Sequence, residues 1–147
     1  MLLANEEATL AFGTHIAARL RAGDIITLSG DLGAGKTVLA RGIIEGLGFV
    51  EEVPSPSFPI VIPYAPPEVG LPVWHVDLYR LDDAREIEEL ALEEALDNGA
   101  LIIEWPERLP GGTWPEALAL RLELNEHGTR DLTVHVPKAW KERWPLS

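Results

Sequence analysis

The chain of 147 residues contains no cysteine, and this absence excludes several kinds of chemistry. Without cysteine there can be no disulfide, no thiolate nucleophile and no cysteine-ligated zinc. No stretch approaches the roughly 20 consecutive apolar residues that a transmembrane helix requires. The opening run from Met1 to Ala4 soon meets Glu6 and Glu7, unlike the basic and then apolar start of a signal peptide. We therefore expect a cytoplasmic protein with no membrane association.

Positive charge is also scarce, because 12 lysines and arginines stand against 24 aspartates and glutamates, for a net charge of −12. Contacts with phosphates carry much of the affinity of proteins for nucleic acid. A chain this acidic is not expected to hold nucleic acid over a broad face by itself, so a partner would have to supply the basic surface. The length and the 46% of hydrophobic residues predict one globular domain over residues 1–147.

The run from Gly30 to Thr37, Gly-Asp-Leu-Gly-Ala-Gly-Lys-Thr, matches the phosphate-binding P-loop G-x-x-x-x-G-K-[ST]. In such a loop, successive backbone N–H groups curl around phosphate, and glycine permits the close approach. Lys36 is expected to reach the terminal phosphates, and the Thr37 hydroxyl to bind Mg²⁺. The other predicted nucleotide-binding positions of the loop are Asp31, Leu32, Gly33, Ala34 and Gly35.

The flanks of the motif have the required character. Ile25 to Ser29 reads as a buried strand that enters the loop, and a helix is predicted from Thr37 to about Leu47. A strand, a loop and a helix around the complete motif make a chance glycine-rich turn a poor explanation.

The remaining pattern predicts an α/β fold: a P-loop NTPase-like domain with a mixed, mostly parallel sheet, flanking helices and a C-terminal antiparallel hairpin. The predicted elements are a helix from Asn5 to about Ala22, an edge strand from Phe58 to Tyr64, a strand from Val73 to Leu78, a helical run from Asp82 to Leu96, a strand from Leu101 to Trp105, hairpin strands at Leu118 to Leu124 and Leu132 to Val136, and a docking turn with Trp140 and Trp144.

Two carboxylates end apolar strands, Asp77 after Val73 to Val76 and Glu104 after Leu101 to Ile103. In a parallel sheet both would emerge at the edge where the P-loop lies. One could hold Mg²⁺ and the other orient the attacking water, and the sequence does not assign these roles. The alternatives are a turn cap for Asp77 and an ion pair with an arginine for Glu104.

Other polar and aromatic residues near these motifs are weaker candidates. A hydroxyl from the segment Ser55 to Phe58 could sense the γ-phosphate, although an ordinary proline-rich turn is the better interpretation from the pattern alone. Trp105 could stack on a base or simply pack, and Arg80 could reach phosphate or pair with a carboxylate. His75 has no partner at metal-ligand spacing, so we predict a core or surface histidine.

Four blocks together resemble the TsaE family, formerly YjeE, the small bacterial ATPases of tRNA threonylcarbamoyladenosine biosynthesis. The blocks are the P-loop, Ser-Pro-Ser-Phe at 55–58, His-Val-Asp-Leu-Tyr-Arg at 75–80 and Ile-Glu-Trp at 103–105. The P-loop alone is generic, but the block at 75–80 followed by the block at 103–105 is specific. The resemblance covers about residues 5 to 110.

The resemblance implies a P-loop α/β domain with a partly antiparallel sheet, which binds ATP and Mg²⁺. Lys36 and Thr37 would bind the phosphates and Mg²⁺. Asp77 and Glu104 would serve the metal and hydrolysis, and Trp105 would belong to the same functional strand end.

The resemblance also implies a switch-like role for the segment 55–58 and a place in a larger machinery. TsaB and TsaD would be the partners, and TsaD would transfer the threonylcarbamoyl group to the adenosine beside the anticodon. The chain would meet tRNA only indirectly, in agreement with its acidity. Ser57 replaces a threonine that is usual in the family, so the hydroxyl is kept and the methyl group is lost.

Two alternatives remain open at this point. A small-molecule kinase would need an acceptor pocket and a water-excluding lid. A non-hydrolysing module would bind nucleotide only to stabilise a shape for a partner. The absence of an N-K-x-D run disfavours a guanine pocket, and the lack of a clear arginine finger predicts slow hydrolysis by the chain alone.

Overall fold

A computed structural model describes residues 1–31, 33–54, 61–79, 91–109 and 113–144. The strands are β1 (Leu2–Leu3), β2 (Ile25–Ser29), β3 (Val61–Tyr64), β4 (Val73–Asp77), β5 (Ala100–Glu104), β6 (Leu118–Leu124) and β7 (Arg130–His135). The helices are α1 (Glu6–Ala17), α2 (Lys36–Gly46) and α3 (Leu92–Ala95), with 3₁₀ turns at Pro106–Arg108 and Lys138–Arg143. No helix in these ranges is long and apolar enough to cross a bilayer.

The strands form one mixed sheet in the order β1-β7-β6-β2-β5-β4-β3. The central strands β6, β2, β5 and β4 are parallel, and the pairs at both edges are antiparallel. The predicted fold class is confirmed, including the antiparallel pairing of β6 with β7. The sequence did not predict β1, because a strand of two residues is too short to show an alternating pattern.

The two faces of the sheet support separate cores. Ile102 of β5 packs in the larger core with α1 and α2, whereas its neighbours Leu101 and Ile103 pack on the opposite face with Leu92 of α3. This alternation explains why β5 reads as continuously apolar, since both of its faces are covered. The sheet is therefore fixed from both sides beneath the P-loop.

The first helix begins as predicted and ends earlier. The Asn5 side chain caps it by accepting a hydrogen bond of 2.8 Å from the N–H of Ala8. The helix ends at Ala17 instead of about Ala22, because Arg19 and Leu20 bond to carbonyls three residues back instead of four. No residue pattern between positions 17 and 22 predicts this early change in hydrogen bonding.

Two other predicted elements fall partly outside the described residues. The edge strand is present as β3, antiparallel to β4 at the end of the sheet, but positions 58–60 of the prediction are not described. Of the helical run predicted from Asp82 to Leu96, positions 82–90 are likewise outside, and α3 is its described part.

The C-terminal turn docks on the body of the protein, as predicted. Trp140 is buried, and Trp144 packs edge-on against Phe12 with ring centroids 6.2 Å apart. Arg143 forms a bidentate ion pair with Asp24, with nitrogen–oxygen distances of 2.7 and 3.0 Å. Asp24 immediately precedes β2, so the tail is tied to the strand that carries the P-loop.

We expect Arg143→Met to lower the free energy of unfolding by about 3 kcal/mol, because it leaves the carboxylate of Asp24 buried without its cation. Urea or thermal unfolding measures the loss. Lys141→Met, at an exposed position of the same turn, is the matched control and should cost less than about 0.5 kcal/mol. Equal stability of the two variants would contradict a stabilising role for the ion pair.

Candidate nucleotide site

Parallel pairing brings the P-loop and both strand-end carboxylates to one edge of the sheet. Strand β2 leads into the loop, β5 ends at Glu104 and β4 ends at Asp77. These three strands are parallel neighbours, and Asp77 lies opposite Glu104 in the register. The strand ends therefore meet as the sequence predicted.

The P-loop depends on glycine at its turning points. Gly33 has φ of 81° and Gly35 has φ of 107°, values that other residues adopt only with strain. Gly35 is also the residue that precedes α2, and it supplies no side chain to cap the helix. The first N–H groups of α2 are thus left for an external anion, which the positive end of the helix dipole also attracts.

Lys36 is already desolvated at the centre of this edge. Its amino group donates hydrogen bonds to the carbonyl oxygens of Gly30 and Asp31, the latter at 2.9 Å, and lies 4.0 Å from the centre of the Trp105 ring. Burial lowers the pKa of Lys36, while the negative charge of Glu104 opposes that change. An anion bound beside Lys36 would stabilise the charged form of its amine, so the position suits a phosphate ligand.

Glu104 is buried and held from two sides. Thr37 Oγ1 donates to Glu104 Oε1 at 3.1 Å, and His75 Nε2 lies 2.6 Å from Glu104 Oε2. Only 2% of Glu104 and none of His75 is exposed to solvent. The carboxylate is thereby fixed at the beginning of α2, directly beside the hydroxyl of the P-loop.

His75 was predicted as a core or surface histidine, and it is a core histidine with a further role. The contact of His75 with Glu104 was not predicted, because it depends on the register between β4 and β5 and not on the spacing of metal ligands along the sequence. Residues 75 and 77 of β4 lie on the same face as 102 and 104 of β5, so the register would have revealed the contact. The alternative prediction, an ion pair of Glu104 with an arginine, is wrong for the described part of the chain. There the side-chain partner of Glu104 on β4 is His75.

Asp77 faces the same site but is held by its own turn. Its Oδ1 accepts a hydrogen bond of 2.9 Å from the N–H of Tyr79, so the turn-cap alternative is realised. Burial raises the pKa of Asp77 and the nearby charge of Glu104 adds to this, whereas the bond from Tyr79 and the neighbouring His75 and Lys36 oppose it.

Trp105 lies beyond the end of β5, although the sequence predicted it as the last residue of that strand. Its backbone is left-handed, with φ of 62° and ψ of 50°. This conformation costs a non-glycine residue about 1 kcal/mol or more, and it turns the ring over Lys36. Tyr79 continues the stack with ring centroids 4.9 Å apart, and Arg108 lies 5.2 Å from the Tyr79 ring.

The donor atoms at this edge fit Mg²⁺ bound together with a nucleotide. Thr37, Glu104 and Asp77 offer oxygen ligands, which Mg²⁺ prefers. Within the described ranges, no three histidine or acidic side chains are grouped closely enough to hold a metal ion by themselves. Such a site would suit Mg²⁺ that takes its remaining ligands from phosphate and water.

Three of the predicted positions lie outside the described residues. These are Leu32 in the P-loop, Ser57 in the segment 55–58, and Arg80. The roles expected for them stay predictions, as does stacking of a base on Trp105.

We expect Asp77→Asn to make the protein more stable at pH 7, by up to about 1 kcal/mol after allowing for solvent screening. The raised pKa means that the folded state binds more protons than the unfolded state, so the contribution of Asp77 to stability falls as pH rises. Asparagine removes the charge and keeps the oxygen that accepts from Tyr79.

Unfolding measured at several pH values checks this expectation, with exposed Asp131→Asn as the control. The advantage of Asp77→Asn should disappear below about pH 4, where aspartate is protonated in both states. An advantage that persists in acid would show that relief of buried charge is not its cause.

The chain is similar to known proteins over most of its length. Residues 3–132 match the family model described as threonylcarbamoyl adenosine biosynthesis protein TsaE. The TsaE protein of Streptomyces coelicolor is 40% identical over 134 residues, which cover 90% of each chain. The TsaE protein of a Synechocystis species is 46% identical over 108 residues, 70% of this chain and 67% of that protein.

The fold also matches a solved structure. The crystal structure of YdiB from Bacillus subtilis superposes with a TM-score of 0.77 at 32% identity, and the match covers 97% of this chain and 88% of that one. Since both the sequence and the fold agree over nearly the whole chain, the protein belongs to the TsaE family of threonylcarbamoyl adenosine biosynthesis proteins.

Proposed function

We propose that the chain is a Mg²⁺-dependent ATPase that supports threonylcarbamoyl modification of the adenosine next to the anticodon in tRNA. Membership of the TsaE family supports the place in tRNA modification. The observation that carries the ATPase proposal is the hydrogen bond from Thr37 of the P-loop to the buried carboxylate of Glu104. Hydrolysis of a nucleoside triphosphate requires a carboxylate beside the metal-binding hydroxyl of such a loop.

The residues of the loop would bind the phosphate chain. The N–H groups at the start of α2 and the amine of Lys36 would surround the β- and γ-phosphates and neutralise their charge. Because Lys36 is buried and already surrounded by carbonyl oxygens, little reorganisation is needed when ATP binds. Trp105 over the amine keeps bulk water away from it.

The acidic residues would provide the hydrolytic part of the site. Thr37, Asp77 and Glu104 would hold Mg²⁺, which would supply positive charge to offset the negative charge that develops on the phosphates. Glu104 or Asp77 would also orient the attacking water. His75 would act as a positioning residue, because its bond to Oε2 of Glu104 directs Oε1 toward Thr37.

The chain would work with TsaB and TsaD in the cytoplasm and contact tRNA only through the complex. Its net charge of −12 supports indirect contact with tRNA, since basic partners would bind the tRNA instead. The ATPase would act as a subunit that supports repeated cycles of modification without carrying out the transfer itself.

We expect Glu104→Ala to reduce phosphate release from Mg²⁺–ATP at least about 100-fold, while the affinity for ATP changes less than about tenfold. The variant removes the carboxylate and leaves Lys36 and the glycines of the loop chemically unchanged. Single-turnover phosphate release and equilibrium binding measure the two quantities. Glu123→Ala, at an exposed position of β6, is the control and should behave like the unmodified protein.

The same assay with TsaB and TsaD tests the wider proposal. Stimulation of phosphate release by the two partners, abolished in Glu104→Ala, is the expected result. A rate of phosphate release that is the same with and without the partners would contradict the role in the complex. ATP binding without turnover in any mixture would instead favour a non-hydrolysing nucleotide-binding module.

A further inference from the structure

The hairpin of β6 and β7 reaches the same edge of the sheet as the P-loop. Strand β6 runs parallel to β2, so its far end, and the turn that follows, lie at the end of the sheet where β2 enters the loop. Gly30 touches β6 directly, because a Cβ at Gly30 would collide with the carbonyl oxygen of Leu122. The hairpin therefore forms one wall of the candidate nucleotide site.

The turn of this hairpin is fixed by the side chain of Asn125. Its Oδ1 accepts hydrogen bonds from the backbone N–H groups of His127 and Thr129, at 2.9 and 3.2 Å. The backbone N–H of Asn125 also bonds to the carbonyl of Thr129 at 2.9 Å. A turn tied in this way holds the next residue, Arg130, in a constant position.

Arg130 points from the start of β7 onto the P-loop. Its Nε donates a hydrogen bond of 3.2 Å to the carbonyl oxygen of Ala34. A Cβ at Gly35 would lie only 2.9 Å from the same nitrogen, so glycine at this position makes room for the guanidinium as well as for the turn. Arg130 thus contacts two consecutive residues of the phosphate-binding motif.

The terminal nitrogens of Arg130 have no partner among the described residues, where the one hydrogen bond of its side chain is made by Nε. The side chain is partly exposed. Guanidinium binds phosphate through paired N–H groups, and burial of those groups against backbone would remove that capacity. The Arg130 side chain is held through Nε, and its terminal N–H groups remain available to a ligand. They offer positive charge to an anion in a protein whose net charge is −12.

We propose that Arg130 is a nucleotide-binding residue whose terminal N–H groups contact the phosphates of ATP while Nε stays on Ala34. The inference rests on the proposed nucleotide-binding function and adds a second cation to Lys36. It also gives the hairpin a function, namely to deliver this arginine to the rim of the loop.

The test compares the binding of Mg²⁺–ATP to three variants of the whole chain by titration calorimetry. Arg130→Gln removes the charge and is expected to weaken binding about tenfold or more, and Arg130→Lys, which keeps the charge without the planar fork, should lie between. Arg21→Gln changes the net charge equally at an exposed position before β2, at the opposite end of that strand from the P-loop, and it should bind like the unmodified protein.

Salt dependence separates contact with phosphate from simple support of the loop. For a direct charge contact, the ratio of the dissociation constants of Arg130→Gln and the unmodified protein should shrink between about 0.05 M and 0.5 M salt. A ratio that does not change with salt, accompanied by a lower melting temperature of the nucleotide-free variant, would overturn the inference in favour of a structural brace.

The inference and the proposed function can fail separately. If the unmodified protein binds Mg²⁺–ATP and Arg130→Gln binds it within twofold, the assignment of Arg130 is wrong and the proposed function stands. If the unmodified protein does not bind Mg²⁺–ATP, both are overturned.

Discussion

The buried carboxylate of Glu104 imposes the constraint on which the site depends. A carboxylate with 2% exposure must find polar partners inside the protein, because desolvation without them is costly. It finds one on each side, Thr37 on the P-loop and His75 on β4. These contacts join three parallel strand ends, and any shift of β4 or β2 against β5 would break one of them. The same contacts that satisfy the carboxylate therefore also fix the place of the phosphate loop.

The electrostatics of this edge work against the stability of the free protein. Burial lowers the pKa of Lys36 and raises that of Asp77, so both groups are charged at a cost. The left-handed backbone of Trp105 adds strain at the same place. The two hydrophobic cores, one on each face of the sheet, offset these costs at a distance. Bound phosphate and a divalent cation would relieve the charge imbalance, as expected of a site organised for a highly charged ligand.

Much of the fold and of the candidate site can be predicted from the sequence, for physical reasons. The P-loop is a local motif, and the apolar runs before Asp77 and Glu104 predict parallel strands whose ends must meet. The contact of His75 with Glu104 depends on register across two strands, which a single sequence does not display. Arg130 is separated from Ala34 by 96 positions, and no pattern in the hairpin marks it. The left-handed backbone of Trp105 could not be foreseen either, because it accompanies ring contacts with Lys36 and Tyr79, which are distant in the sequence.

The pairing of the first strand with the last has a consequence for how the chain is made. Leu2 and Leu3 complete the edge of the sheet only when β7 is present, and Asp24 meets its cation only when Arg143 has been synthesised. The central pair β2 and β5 likewise joins segments about 75 residues apart. Contacts of such long range slow folding. On the ribosome, the P-loop would emerge well before β5 and Arg143, so the rigid surroundings of the loop should form late in the folding of the nascent chain.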